Sequence, residues 1–96
     1  MSAFIFANVD VTDPAGFATY RELVAPTITE AGGRYRVRGG SVQVLEGAFV
    51  PKRAVLLEFD SMDAALAWYH SDAYAAARAL RQRSAVTDVV LMEGVD

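Results

Sequence analysis

The sequence predicts a single α+β domain whose elements follow the order β-α-β-β-α-β. A nearly continuous apolar run near the start of the chain has the β-branched and aromatic composition of a buried strand, and a further strand-like run lies near the end. Between them lie two segments with helical spacing of apolar residues, each opening at a capping signal. A pair of strand-like runs separates these segments. The 96 residues match one small domain, residues 1–96, without a linker or repeat.

The first strand and the first helix are predicted from residues 3–31. Ala3–Val11 (AFIFANVDV) is apolar along both faces, as buried strands are. The sequence TDP at 12–14 is a helix start, with Thr or Asp as the cap and proline in the first turn. Pro26 lies inside this helix, removes one backbone hydrogen bond and is expected to kink or split it. The glycine pair at 32–33 ends the helix.

The two middle strands are predicted at 34–38 and 53–59. In RYRVR at 34–38, simple alternation places the three arginines on one face and the other two residues on the opposite face. Gly39-Gly40 is compatible with a two-residue hairpin turn, or with a bulge in a strand that continues through Val42–Leu45. We favour the bulge, because 47–52, with its proline, already supplies a hairpin loop.

The second helical region is predicted as two pieces, at about 62–70 and 72–83, because Ser61 and Ser71 are both capping signals. Ala85–Glu93 is the last strand. This order is that of the ferredoxin-like fold, a four-stranded antiparallel sheet with its helices on one face.

The uncovered face of that sheet predicts a partner. Hydrophobic residues make up 53% of the chain, which is high for a soluble domain of this size. Surplus apolar surface on a small domain is usually buried between subunits. We therefore expect a homo-oligomer in which the sheet of a partner covers this face.

Composition excludes several classes of site. The chain has no cysteine, which excludes disulfides and Cys-ligated metals, and its single histidine excludes a multi-histidine site within one subunit. We expect neither a metal nor a cofactor. The net charge of −3 argues against a nucleic-acid partner. Neither a signal peptide nor an apolar run of roughly 20 residues is present, so a cytoplasmic protein without a membrane partner is expected.

Two long segments resemble the bacterial family called domain of unknown function 1330. They are GGRYRVRGGSVQVLEG at 32–47 and PKRAVLLEFDSMDAALAWYHSDAYAAARALR at 51–81. The resemblance extends from Phe4 to Gly94 and implies a dimeric α+β barrel, but no activity. His70 stands where the family pattern has Asn, and Asp72 where it has Pro.

Charged residues on or beside the predicted strands have two interpretations. Burying a charge is unfavourable unless it is paired, so Arg38, Arg53, Glu46 and Glu58 are either ion pairs that fix strand register or an interface, or ligand contacts. Arg38, just before the glycine pair, is the best candidate for holding a carboxylate or phosphate.

The second helical region supplies further candidates. Tyr74, Arg78 and Arg81 are spaced i, i+4 and i+7, on one helix face that suits an anionic or phenolic ligand. The alternative for the arginines is a solvated basic face. Trp68 is assigned to the core, and Tyr69 is a candidate to line the gap between helix and sheet.

Three other polar residues receive weaker assignments. By periodicity Tyr20 and Asn8 face inward, and Asn8 is expected to bond to the backbone. His70, at a helix end, is assigned an exposed or capping role rather than a catalytic one.

Two functions fit these observations, and the predicted ligand residues are Arg38, Glu58, Tyr69, Tyr74 and Arg78. In the first, the protein is a cofactor-free enzyme acting on a small anionic or aromatic molecule in a helix–sheet pocket. The two arginines hold the substrate, and a tyrosine or the glutamate moves protons. In the second, it is a non-catalytic binding or regulatory dimer whose buried charges are structural.

Overall fold

Four strands form one antiparallel sheet with three helices packed on a single face, which confirms the predicted α+β class. The structure, a computed structural model, describes residues 1–95. Its elements are β1 (Ala3–Val11), α1 (Pro14–Glu30), β2 (Arg34–Arg38), β3 (Arg53–Phe59), α2 (Met62–Tyr69), α3 (Asp72–Ser84) and β4 (Ala85–Glu93). The strand order is β2-β3-β1-β4, that of a ferredoxin-like sheet.

Local signals fix the helix boundaries. The Ser61 hydroxyl accepts a hydrogen bond from the backbone N–H of Ala64 at 3.0 Å, and Ser71 does the same for Tyr74 at 3.2 Å, so both predicted caps are confirmed. Helix α1 runs through Pro26 as one helix, so the split that was one of the two predicted effects of this proline does not occur. Val24 and Ile28 are buried on either side of this proline, and their packing outweighs one missing hydrogen bond.

Alternation along the strands gives the sheet two unlike faces. The helix-facing face carries the buried residues of the central strands, including Ile5, Leu57 and Phe59. The opposite side, which we call the open face, carries the even-numbered residues of β1, β3 and β4. There Phe6 lies between Leu56 and Val90 of the neighbouring strands, and no helix covers them.

A β-bulge changes the prediction for β2. The register shifts between Tyr35 and Val37, so that Tyr35 pairs with Leu57 and Arg38 pairs with Val55. Both partners belong to the helix-facing face of β3. Arg38 therefore shares a face with Tyr35, and the prediction that the three arginines of RYRVR lie on one face is wrong, because a bulge inserts one residue into the alternation.

Strand β2 ends at Arg38, and the predicted continuation through Val42–Leu45 is not formed. Gly39 still donates its N–H to the carbonyl of Ala54 in β3 at 2.8 Å, but its positive φ of 73° departs from the extended backbone of a strand. Within residues 1–95, segment 39–52 has no neighbouring strand with which to pair. The Gly39-Gly40 pair is thus neither the hairpin turn nor the bulge, which occurs earlier in the strand.

The end of segment 39–52 returns across the open face. The Asn8 side chain donates to the carbonyl of Val50 at 3.2 Å and accepts from the N–H of Lys52 at 2.7 Å. The rings of Phe6 and Phe49 lie 6.4 Å apart. The expected backbone bonding of Asn8 is confirmed, but on the open face rather than inward, since Asn8 is an even-numbered residue of β1.

No helix in residues 1–95 combines the length and the apolar character needed to cross a membrane.

An ion-pair group on the open face makes a prediction for acid stability. Arg36 Nε donates to Glu58 at 2.7 Å, and Arg34 lies 3.6 Å from the same carboxylate. The hydrogen bond from Arg36, followed by one from Ser2, lowers the pKa of Glu58 below its usual value. A lowered pKa stabilises the fold above the unfolded-state pKa, about 4.3 for Glu, and this contribution is lost as the pH falls through the folded-state pKa.

We therefore expect Glu58→Gln to lower the urea midpoint at pH 7, with the difference from wild type shrinking below about pH 4. Urea unfolding from pH 3 to pH 7 measures this. The exposed Glu30, which has no ion pair within the described residues, supplies the control Glu30→Gln. Identical pH profiles for wild type and both variants would contradict the assigned role of the pair.

Candidate functional site

A cavity of about 50 Å³ lies between the helix-facing face of the sheet and the helices. Its lining is mainly apolar and aromatic, and its floor includes Ile5, Ala7 and Val9 of β1. It exceeds the roughly 10–15 Å³ that one water requires but is smaller than the roughly 150 Å³ of a cavity that holds benzene, so an aromatic ligand must displace lining side chains or protrude beyond the cavity. Apolar and aromatic walls with a few polar groups are the usual lining of small-molecule sites.

The space arises from one small residue at the centre of the sheet. Ala7 is the middle residue of β1, and its neighbours across the sheet are Val55 and Val89, which also line the cavity. A larger side chain at this position would project toward the helices, because odd-numbered residues of β1 face them. The sequence therefore creates the cavity by placing alanine between larger residues.

Stacked aromatic rings form one wall of the cavity. Trp68 stacks on Tyr74 with their ring centroids 4.1 Å apart, and Phe59 packs 5.5 Å from Trp68. The indole N–H donates to Thr27 Oγ1 at 3.0 Å, so it has a partner although Trp68 is buried. These contacts hold Trp68 in the core as predicted, and they also bring it to the cavity.

A polar group that we call the tyrosine network lies on the α3 side of the cavity. It consists of Tyr20, Tyr74 and Arg81, which all line the cavity. Arg81 Nε donates to the Tyr74 oxygen at 3.3 Å, and the two tyrosine oxygens are 3.1 Å apart. Burial, reinforced by Tyr74, raises the pKa of Tyr20 far above its ordinary value, so Tyr20 keeps its proton.

Arg81 has an unusual environment for a buried cation. Only 6% of the residue is exposed, and no carboxylate in residues 1–95 lies within 4 Å of its guanidinium. Burying an unpaired charge is unfavourable, and here the phenol of Tyr74 is the neutral acceptor that it uses. The solvated-face interpretation of Arg81 is therefore wrong.

A second polar group, which we call the arginine cluster, lines the cavity on the β2–β3 side. Its members are Arg21 of α1, Arg38 of β2 and Arg53 of β3. Arg38 lies over the ring of Tyr35 at 4.3 Å and Arg53 over that of Phe17 at 5.8 Å. Burial lowers the pKa of Arg53, and the nearby charges of the other two arginines lower it further.

The five predicted ligand residues separate into two groups. Arg38, Tyr69 and Tyr74 line the cavity. Glu58 lies on the open face with Arg36, because it is an even-numbered residue of β3. Arg78 lies outside the cavity lining, where its guanidinium donates to the Tyr69 carbonyl and lies over the rings of Tyr69 and Tyr74, at 5.2 and 5.9 Å.

The sequence did not single out Arg21, and it left Arg53 open between an ion pair and a ligand contact. Arg21 follows Tyr20 on the cavity side of α1, and only the helix's inward face, traced through Phe17 and Val24, pointed to that position. His70 is exposed at the end of α2, with its ring edge-on to Tyr69 at 5.2 Å. No group of three His, Asp or Glu side chains in residues 1–95 is placed to hold a metal ion.

Solved structures share this fold. The protein RPA0582 of unknown function from Rhodopseudomonas palustris is 17% identical, with a TM-score of 0.75 over 99% of this chain and 83% of the other. SnoaB, a cofactor-independent oxygenase from Streptomyces nogalater, is 12% identical, with a TM-score of 0.61 over 99% and 93%. Rv0793 from Mycobacterium tuberculosis is 18% identical, with a TM-score of 0.60 over 100% of this chain and 97% of the other.

No curated protein is similar enough in sequence to match this chain. At the level of families, the model for the domain of unknown function 1330 matches residues 2–95. The match covers essentially the whole chain, and the chain belongs to the domain of unknown function 1330 (DUF1330) family.

Proposed function

We propose that this protein binds a small aromatic molecule bearing an oxygen in the helix–sheet cavity, and that it does so as a homodimer. The observation that carries the proposal is the Tyr74 hydroxyl, which is held between Arg81 and Tyr20 inside an aromatic cavity. Aromatic walls favour a flat apolar body through stacking and burial, and the hydroxyl supplies a directional contact for the ligand's oxygen.

The same geometry supports stabilisation of negative charge beside Tyr74. The guanidinium of Arg81 donates to the Tyr74 oxygen, which leaves the Tyr74 O–H to donate to Tyr20 or to an oxygen of the ligand. Negative charge that develops on such a ligand oxygen during a reaction would be stabilised by this hydrogen bond, with the positive charge of Arg81 behind it. We therefore favour a cofactor-free enzyme, for which SnoaB provides an analogy of fold alone.

The alternative is a non-catalytic binding or regulatory dimer. The Arg36–Glu58 pair supports a structural role for the charges of the open face, because these two groups neutralise each other away from the cavity. The two functions share the same ligand site and differ in whether the bound molecule is transformed.

Homodimer formation is supported by the apolar character of the open face. Val86, Val90 and Met92 of β4 are 68%, 50% and 46% exposed, and they lie on one side of the sheet. Several apolar residues of segment 39–52 are also exposed, among them Leu45 at 90%. Exposed apolar surface of this extent is typical of interfaces between subunits.

We expect phenol to change the fluorescence of Trp68, the only tryptophan, on binding in the cavity. Tyr74→Phe should weaken phenol binding about fivefold, the loss of one ordinary hydrogen bond. Ala7→Leu should abolish it by filling the cavity. Fluorescence titration measures both, with Thr19→Val, a hydroxyl deletion on the exposed side of α1, as the control. Binding that survives Ala7→Leu unchanged would place the ligand elsewhere.

We expect the protein to have twice the 10.4 kDa mass of one chain in native mass spectrometry and in analytical ultracentrifugation. Val90→Glu should shift it toward monomer at micromolar concentration, because it places a charge in the apolar interface. Leu23→Glu, an exposed apolar residue on α1, is the matched control and should leave the dimer intact. A monomeric wild type would refute the homodimer.

A further inference from the structure

We propose that the arginine cluster of Arg21, Arg38 and Arg53 is a binding site for a doubly charged oxyanion carried by the ligand. The inference rests on the proposed function, since the same molecule would extend its aromatic part into the cavity. The ligand class is a small aromatic body with a dianionic head group, either a phosphate monoester or a pair of carboxylates.

The cluster is an uncompensated concentration of positive charge. In residues 1–95, no carboxylate lies within 4 Å of the guanidinium of Arg21, Arg38 or Arg53, whereas Arg34 and Arg36 on the open face are paired with acids. Glu22 lines a surface depression beside Arg21 and Arg38, but forms no ion pair with them. Like charges held together are unfavourable, and a bound anion relieves this.

Arg53 is fixed in place with an unused donor. Its Nε is buried and has no hydrogen-bond partner among the described residues. The guanidinium lies between the Phe17 ring and the backbone of Gly39, where a Cβ on Gly39 would come within 2.3 Å of Nη1. A buried donor without an acceptor is uncommon in folded proteins. Arg53 is therefore preorganised toward an acceptor that residues 1–95 do not supply.

Arg38 reaches the same place because of the β-bulge. Without the bulge, Arg38 would lie with Arg34 and Arg36 on the open face. With it, Arg38 shares a side of the sheet with Tyr35, and its guanidinium lies 4.3 Å from the centre of that ring. Bulges commonly redirect a side chain toward a functional site, and planar guanidinium groups suit phosphate and carboxylate oxygens.

The cavity determines the rest of the ligand. The arginine cluster and the tyrosine network line the same cavity, the cluster on the side of β2 and β3 and the network on the side of α3. Two or three guanidiniums match a head group of two negative charges better than a single carboxylate. The aromatic residues between the two groups, including Phe17 and Tyr35, favour an apolar ring over a flexible polar chain.

Phenyl phosphate, phthalate, inorganic phosphate and phenol test this site. By Trp68 fluorescence or calorimetry, we expect phenyl phosphate or phthalate to bind about tenfold or more tightly than phenol, because hydrogen bonds to charged groups are the strong ones. Arg53→Met and Arg38→Met should each remove most of this gain, so that the ratio of dianion affinity to phenol affinity falls toward one. Arg36→Met, on the same strand but on the open face, is the matched control and should keep the gain.

Gly39→Ala tests positioning without removing a charge. The new methyl group would displace the Arg53 guanidinium, and the positive φ of Gly39 is itself unfavourable for alanine. We expect Gly39→Ala to lose the gain for the dianions while retaining phenol binding, and circular dichroism together with the urea midpoint checks that it folds. A gain retained in both Gly39→Ala and Arg53→Met would overturn the assignment.

The remaining outcomes separate this inference from the proposed function. Phenol binding with no gain for either dianion would overturn the oxyanion site and leave the cavity proposal standing. Binding of none of the probes would overturn both. If inorganic phosphate binds as tightly as phenyl phosphate, the aromatic ring adds no affinity. The arginine cluster would then hold an anion outside the cavity, which would contradict the proposed ligand class. A preference between phenyl phosphate and phthalate identifies the head group.

Discussion

The alternation of side chains along the central strand β1 is the constraint on which the other features depend. Helices cover one face of the sheet only, so each residue of β1 faces either the cavity or the open face. Ile5, Ala7 and Val9 belong to the cavity, whereas Phe6 and Asn8 belong to the open face. The same alternation in β3 separates Arg53 from Glu58, and it thereby divides the unpaired arginines from the paired ones.

Packing around the cavity leaves polar groups where a small domain can least tolerate them. A chain of this size has a limited core, and a buried unpaired charge opposes folding. Arg81 is accommodated by the Tyr74 phenol, and the proton retained by Tyr20 lets these hydroxyls share a hydrogen bond. A sequence optimised for stability alone would replace this group with apolar side chains. Its presence, together with Ala7, therefore supports the ligand-binding function proposed above.

Much of the fold follows from local signals, and much of the site does not. The caps at Ser61 and Ser71 and the composition of the strands depend only on short stretches of sequence, so the order of elements could be predicted from the sequence. The face occupied by Arg38 depends on a bulge, which forms only when β2 pairs with β3, far along the chain. Helical spacing grouped Tyr74 with Arg78 and Arg81, but only the packing of α3 against α1 shows that Arg81 is the one buried at the cavity.

The placement of charge argues for the cavity more strongly than any single contact does. The chain has 12 acidic residues and 9 basic ones, so acids are available in excess to neutralise every arginine. They do so at Arg34 and Arg36, where the pairs lie on the open face. Among residues 1–95, none does so for the arginine cluster, of which Arg21 and Arg38 are exposed, or for the buried Arg81. A negative net charge combined with unpaired arginines around the cavity separates the two signs in space, and this separation would favour the anionic ligand proposed above.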